Sequence, residues 1–142
     1  MAKETRRITR TRRVAAQTAE ARLVLTTAGG EAQAAAIARA LVSERLAACV
    51  NVLAGARSIY RWREAIEDER EWLLLIKTTA DRYPALERRI RELHTYATPE
   101  VIALPIMEGS APYLQWLAET TTTTPAAAGR RRAAGQARTA RR

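Results

Sequence analysis

The chain has one cysteine, Cys49, one histidine, His94, and no phenylalanine among its 142 residues. A single thiol excludes an internal disulfide and fits a reducing compartment. A Cys-His nucleophilic pair has only these two residues to draw on, no third orienting residue is signalled, and no enzymatic activity is expected. No run of about 18 apolar residues occurs, so no helix is expected to cross a membrane. The N-terminus "MAKETRRITRTRRVAAQTAEA" lacks the apolar stretch of a secretory signal. With the free thiol, that points to the cytoplasm. No internal repeat is visible, and beyond the turn "AGGE" there is no candidate phosphate loop; a plain connecting turn is the simpler reading of those two glycines.

What the chain has in excess is positive charge, and it is unevenly placed. The formal net charge is +9. Residues 1–21 carry six Lys/Arg with two Glu, residues 122–142 carry six Arg and no acid, and the 100 residues between hold 12 basic against 13 acidic. The whole-chain pI therefore says little about what a folded middle binds. Segment 1–21 reads as a disordered basic extension. Segment 121–142, with "TTTTPAAAGRRRAAGQARTARR", reads as a disordered Arg/Ala-rich tail, because it has too little apolar surface to offset its ordering entropy. Such tails are expected to attract nucleic acid without reading its sequence. Residues 22–120 remain as one domain.

Within that domain the hydrophobic period changes in a legible order. "RLVLTT" is a short β-branched strand, and "AGGE" turns the chain into a helix over 30–47, where Ala34, Ile37, Ala38, Leu41, Val42, Arg45 and Leu46 form one stripe. "ACVNVL" and "RSIYRW" read as extended, broken at "AGA". The charged turn "REAIEDER", with "EDER" as a solvated tip, leads to the strand "EWLLLIKTT" and closes a long hairpin. Asp81 is placed to cap a helix with Pro84 in its first turn and Leu86, Ile90 and Leu93 on one face. "EVIALPIM" supplies a further strand, with Pro105 marking an edge or a bulge. Ser110 or its successor caps a last helix presenting Tyr113, Trp116 and Leu117.

The order βαββαβ plus a C-terminal helix predicts an α+β, ferredoxin-like fold with helices on one face of an antiparallel sheet. "WLLLI" at 72–76 strains a two-layer picture, since it is apolar at every position and both its faces want cover. Tyr60 and Trp62 add to that surface. Another subunit, a nucleic acid, a ligand or the terminal helix could supply the cover, and an oligomer needs the fewest further assumptions.

"LAACVNVLAGARSIYRW", "EREWLLLIKTT", "HTYATPEVIALPI" and "YLQWL", in this order and spacing, resemble the CutA family of divalent-cation tolerance proteins over residues 22–119. The resemblance implies a homotrimer joined edge to edge through the long hairpins and a non-enzymatic role linked to copper and other divalent metals. Some bacterial members have proposed copper ligands in a first-strand Cys and two adjacent His. Here those positions read Thr26, Leu93 and His94, and Thr95 follows. The metal candidates are thus His94 and Cys49, whose imidazole and thiolate both suit Cu(I). Against this, a lone Cys in "AACV" is ordinarily a small buried hydrophobe, and a lone His at a helix end ordinarily meets the last helical carbonyls. Tyr60, Trp62, Lys77, Tyr96 and Glu100 are expected to border a cleft between subunits, or to bond across the interface. Two other functions share this element order: a small-ligand signalling trimer, and an RNA-recognition domain. "EWLLLIKTT" lacks the glycine-aromatic pattern of the latter.

Overall fold

The computed structural model describes residues 20–122, so the basic runs of both tails lie outside the described residues. The elements are β1 (Ala21–Ala28), α1 (Glu31–Ser43), β2 (Cys49–Trp62), β3 (Ala65–Thr79), α2 (Tyr83–Leu93), β4 (Ile102–Pro105) and α3 (Ala111–Thr121). The strands form one antiparallel sheet in the order β2-β3-β1-β4. This is the expected βαββαβ arrangement with a terminal helix. Pro105 lies on edge strand β4, where a missing N–H leaves no ladder bond unmade.

Alternation along β3 sorts "WLLLI" into two environments. Leu74 and Ile76 are fully buried and, with Val24 and Ala28 of β1, meet Ile37 and Leu41 of α1 and Leu86 and Ile90 of α2. Leu73 and Leu75 point to the opposite face and are half-buried. That second face is partly covered by α3, which packs against β3 and β1. Leu114 and Leu117 of α3 are buried, yet stand apart from the core under α1 and α2. Tyr113 stands beside Cys49, which lies across the ladder from Lys77 on the Leu73–Leu75 side. The terminal helix therefore supplies part of the cover, at one end of the face only.

Three local expectations need correction. Helix α1 stops at Ser43, because Arg45 takes a left-handed φ of 58° and the N–H groups of Leu46 and Ala47 both return to the Leu41 carbonyl. The residue before α2 is Arg82 rather than Asp81, and it makes no side-chain cap bond, although Pro84 does occupy the first turn. The run "EDER" is not a tip: Asp68 and Glu69 pair with Ile59 and Ser58 inside the ladder. The turn is Arg63–Glu64, with Arg63 at φ 54°, and β3 resumes at Ala65. Charge on an exposed arm is compatible with a strand as well as with a turn. The "AGA" break is a β-bulge between Leu53 and Ala56, where Gly55 adopts φ +83°, a conformation glycine takes without strain.

Candidate functional site

Strand β1 ends at Ala28 opposite Trp72, whereas the β2–β3 hairpin runs on to Trp62 and Ala65. The last half of the hairpin is thus a two-stranded arm projecting beyond the sheet. At its base the segment 94–100 packs alongside, and between arm and segment lies a cleft of about 950 Å³. The ladder sets Ser58 opposite Glu69 and Tyr60 opposite Glu67, and alternation brings Glu71 and Trp62 to the same side. Tyr96, Pro99 and Glu100 line the other wall. Four of the five residues expected to border a cleft, Tyr60, Trp62, Tyr96 and Glu100, are therefore gathered in one place.

Lys77 is not among them. It sits toward the opposite end of β3, where its ammonium donates to the Asn51 side chain and to the Leu75 carbonyl, the latter at 3.2 Å. Three carboxylates that sequence reasoning missed, Glu67, Glu69 and Glu71, stand in the cleft instead. Their signal was available in the alternation at positions 67, 69 and 71, but reading "EDER" as a tip concealed it.

Charge and burial act together there. Glu71 is only 4% exposed, and the Tyr96 hydroxyl donates to its Oε1 at 2.8 Å. Burial, and then the Glu71 carboxylate, push the Tyr96 phenol up to about 12, because a phenolate would lose water and face a like charge. Burial also raises Tyr60, with Glu69, Glu71 and Glu67 adding to it. The Arg57 guanidinium at the margin is committed to Asp68 at 2.7 and 2.5 Å. Gly29 gives Tyr96 its room: a Cβ there would stand 2.9 Å from the phenolic oxygen.

His94 follows α2 and has both ring nitrogens in use. Nε2–H donates to the Thr27 carbonyl of β1 at 2.7 Å, and Nδ1 accepts the Tyr96 N–H at 3.0 Å. The ring also contacts Tyr96 at 4.7 Å between centroids. His94 thus reaches a strand carbonyl rather than the last carbonyls of its own helix. Cys49 is half-buried against Tyr113, not sealed in the core. The structure does not bring Cys49 and His94 together. Cys49 lies opposite Lys77 and Thr27 opposite Leu73, four residues apart on β3, or about 13 Å of strand. Among the described residues no group of three His, Cys, Asp or Glu side chains is placed to hold a metal ion. Nor is any helix there long and apolar enough to cross a membrane.

Residues 22–120 match the family model described as CutA1 divalent ion tolerance protein. A divalent-cation tolerance protein CutA of Thermus thermophilus is 52% identical over 99 residues, covering 70% of this chain and 96% of that protein. The human protein CutA is 47% identical over 95 residues, covering 67% of this chain and 53% of the human one. Among solved structures, the Thermus thermophilus Cut A1 superposes with a TM-score of 0.70 at 50% identity, covering 72% of this chain and 99% of that one. The CutA1 of Oryza sativa gives a TM-score of 0.72 at 37% identity, covering 76% and 99%.

Proposed function

This chain belongs to the CutA family, and from that premise we propose that it serves divalent-cation tolerance as a non-catalytic homotrimer. The observation that carries the reading is the family match across residues 22–120, essentially all of the chain between its tails. The trimer is supported by the projecting arm. Ile59 and Ile66, 63% and 66% exposed, lie on one side of it, and Tyr60 and Trp62 lie on the other. A two-stranded ribbon with apolar groups on both faces is at best marginal in water and gains most from packing against a further surface. Neighbouring copies of the same arm are that surface in this proposal, and the cleft at its base then lies at a subunit boundary.

The effect on metals does not run through a Cys49–His94 copper pair inside one protomer. The separation of the two residues and the engagement of both His94 nitrogens support this. A second reading, a small-ligand module acting through the cleft, is favoured by the convergence of Tyr60, Trp62, Tyr96 and Glu100 on one cavity of a size that suits a metabolite. The test is growth of a host deleted for its own copy of this family on graded copper, zinc and cadmium. Expression of this chain is expected to restore growth, and the Cys49→Ser, His94→Gln double variant is expected to restore it equally. Absence of rescue by the unaltered chain would overturn the tolerance reading. Loss of rescue in the double variant alone would reinstate the copper pair.

A further inference from the structure

The two faces of the projecting arm carry opposite charge, and we propose that the basic, apolar face of one protomer's arm seats in the acidic, aromatic cleft of a neighbouring copy. The inference rests on the trimer reading and goes beyond it in saying which surface meets which. Residues directly opposed across the ladder point to the same face. Ser58, Tyr60, Trp62, Glu67, Glu69 and Glu71 therefore share the cleft side, and Arg57, Ile59, Arg61, Ile66, Asp68 and Arg70 share the outer one. The cleft side has three carboxylates and no basic side chain, a formal −3. The outer side sets three arginines against one aspartate, a formal +2.

Each face is poorly satisfied in a lone protomer. Arg57 stands directly opposite Arg70, a like-charge pair that weakens a ladder, and Glu67, Glu69 and Glu71 follow one another on one face about 7 Å apart. Asp68 answers only part of the outer charge, held by Arg57 at 2.7 and 2.5 Å with Arg70 acting on it through space. Arg61 and Arg70 form no ion pair among the described residues, and neither do Glu67 and Glu69. The apolar groups repeat the pattern: Ile59 and Ile66 are exposed on the outer side, and Tyr60 and Trp62 on the other.

A contact between unlike faces satisfies both. The partner's Arg61 and the partner's Arg70 meet Glu67 and Glu69, while the partner's Ile59 and the partner's Ile66 meet Tyr60 and Trp62. A guanidinium suits this surface doubly, since its planar fork matches a carboxylate and its flat side stacks on an aromatic ring. A two-fold contact would instead set like faces together, acid on acid or base on base. Because each arm offers one face and receives on the other, the contact is heterologous, and such contacts close into rings when the rotation fits. Glu71 stays out of the exchange, since it is buried and accepts from the Tyr96 hydroxyl at 2.8 Å within its own protomer. The cleft is thus incomplete in one copy, and a small ligand there would face two.

The experiment measures the mass of the full chain by light scattering across a dilution series, with far-ultraviolet circular dichroism as the check on folding. The outer reversal, Arg61→Glu with Arg70→Glu, and the cleft reversal, Glu67→Arg with Glu69→Arg, should each lower the mass from three copies toward one. Each should raise the midpoint concentration of dissociation by about a hundredfold or more, the scale of like charges brought together in an interface. All four changes in one chain exchange the two charges and should restore the trimer. Should a reversal fail to fold, Arg61→Gln with Arg70→Gln and Glu67→Gln with Glu69→Gln test the same contact through a smaller shift in the same direction. The proposal is overturned if the folded variants keep the unaltered midpoint, or if the fourfold variant folds and stays dissociated. An unaltered chain of one or two copies overturns the trimer reading and this contact together, whereas a trimer indifferent to the reversals overturns this contact alone.

Discussion

His94 fixes the end of α2 to β1 and sets the path of the segment that brings Tyr96 into the cleft. Replacing it with Ala removes one acceptor and one donor at a buried position, and an expected loss of about 1–3 kcal/mol follows from the groups left unpaired. His94→Gln should recover part of that loss, because an amide can also donate and accept; urea denaturation checks both. Tyr96 gives a pH signature. Its folded pKa, about 12, lies above that of an unfolded tyrosine, so the fold holds the phenolic proton more tightly. The stability this contributes is complete below pH of about 10 and is lost as pH rises toward about 12. Tyr96→Phe should therefore lose less stability than the unaltered chain across that window, as read by denaturation at successive pH values. Spacing could not have located either residue's partners, since Thr27 and Glu71 come from strands distant in sequence.

At the scale of the element, β3 offers a comparison between neighbours. Leu74→Ala opens a cavity in the sealed core and should cost about 2–5 kcal/mol, whereas Leu75→Ala, on the half-covered face, should cost less. Equal losses in thermal melts would mean that the second face is as fully packed as the first. The elements themselves were largely legible in the residues. Ile37 and Leu41, or Leu86 and Ile90, repeat at helical spacing because one face of each helix is buried. "AGA" marked the bulge because glycine tolerates the left-handed φ found there. What could not be read was where the arm ends. A strand half surrounded by solvent carries the same charged composition as a turn, so Glu67 to Arg70 concealed their pairing. Lys77 was drawn to the wrong site for a related reason: β3 is 15 residues long, and composition does not say which of its ends meets the cleft.

At the scale of the whole molecule, the proposed trimer predicts that Ile66→Asp lowers the mass seen in light scattering from three copies toward one, while far-ultraviolet circular dichroism stays folded, because Ile66 is exposed in the protomer and contributes nothing to its core. A mass unchanged by Ile66→Asp together with Trp62→Asp would remove the arm from the assembly contact. The bulge at Gly55 bears on the same arm in another way. Between Leu53 and Ala56 strand β2 spends three steps while β3 spends two, from Leu73 to Glu71. That extra residue is taken up locally, and the pairing beyond it is unbroken. Deleting one residue there would leave two steps against two, so Ala56 would still oppose Glu71 and Tyr60 would still oppose Glu67, and the arm would lose the local bend and added twist that the bulge gives it. One residue of chain length thus works as a hinge pin, setting the direction in which the arm leaves the sheet without touching any side chain beyond it.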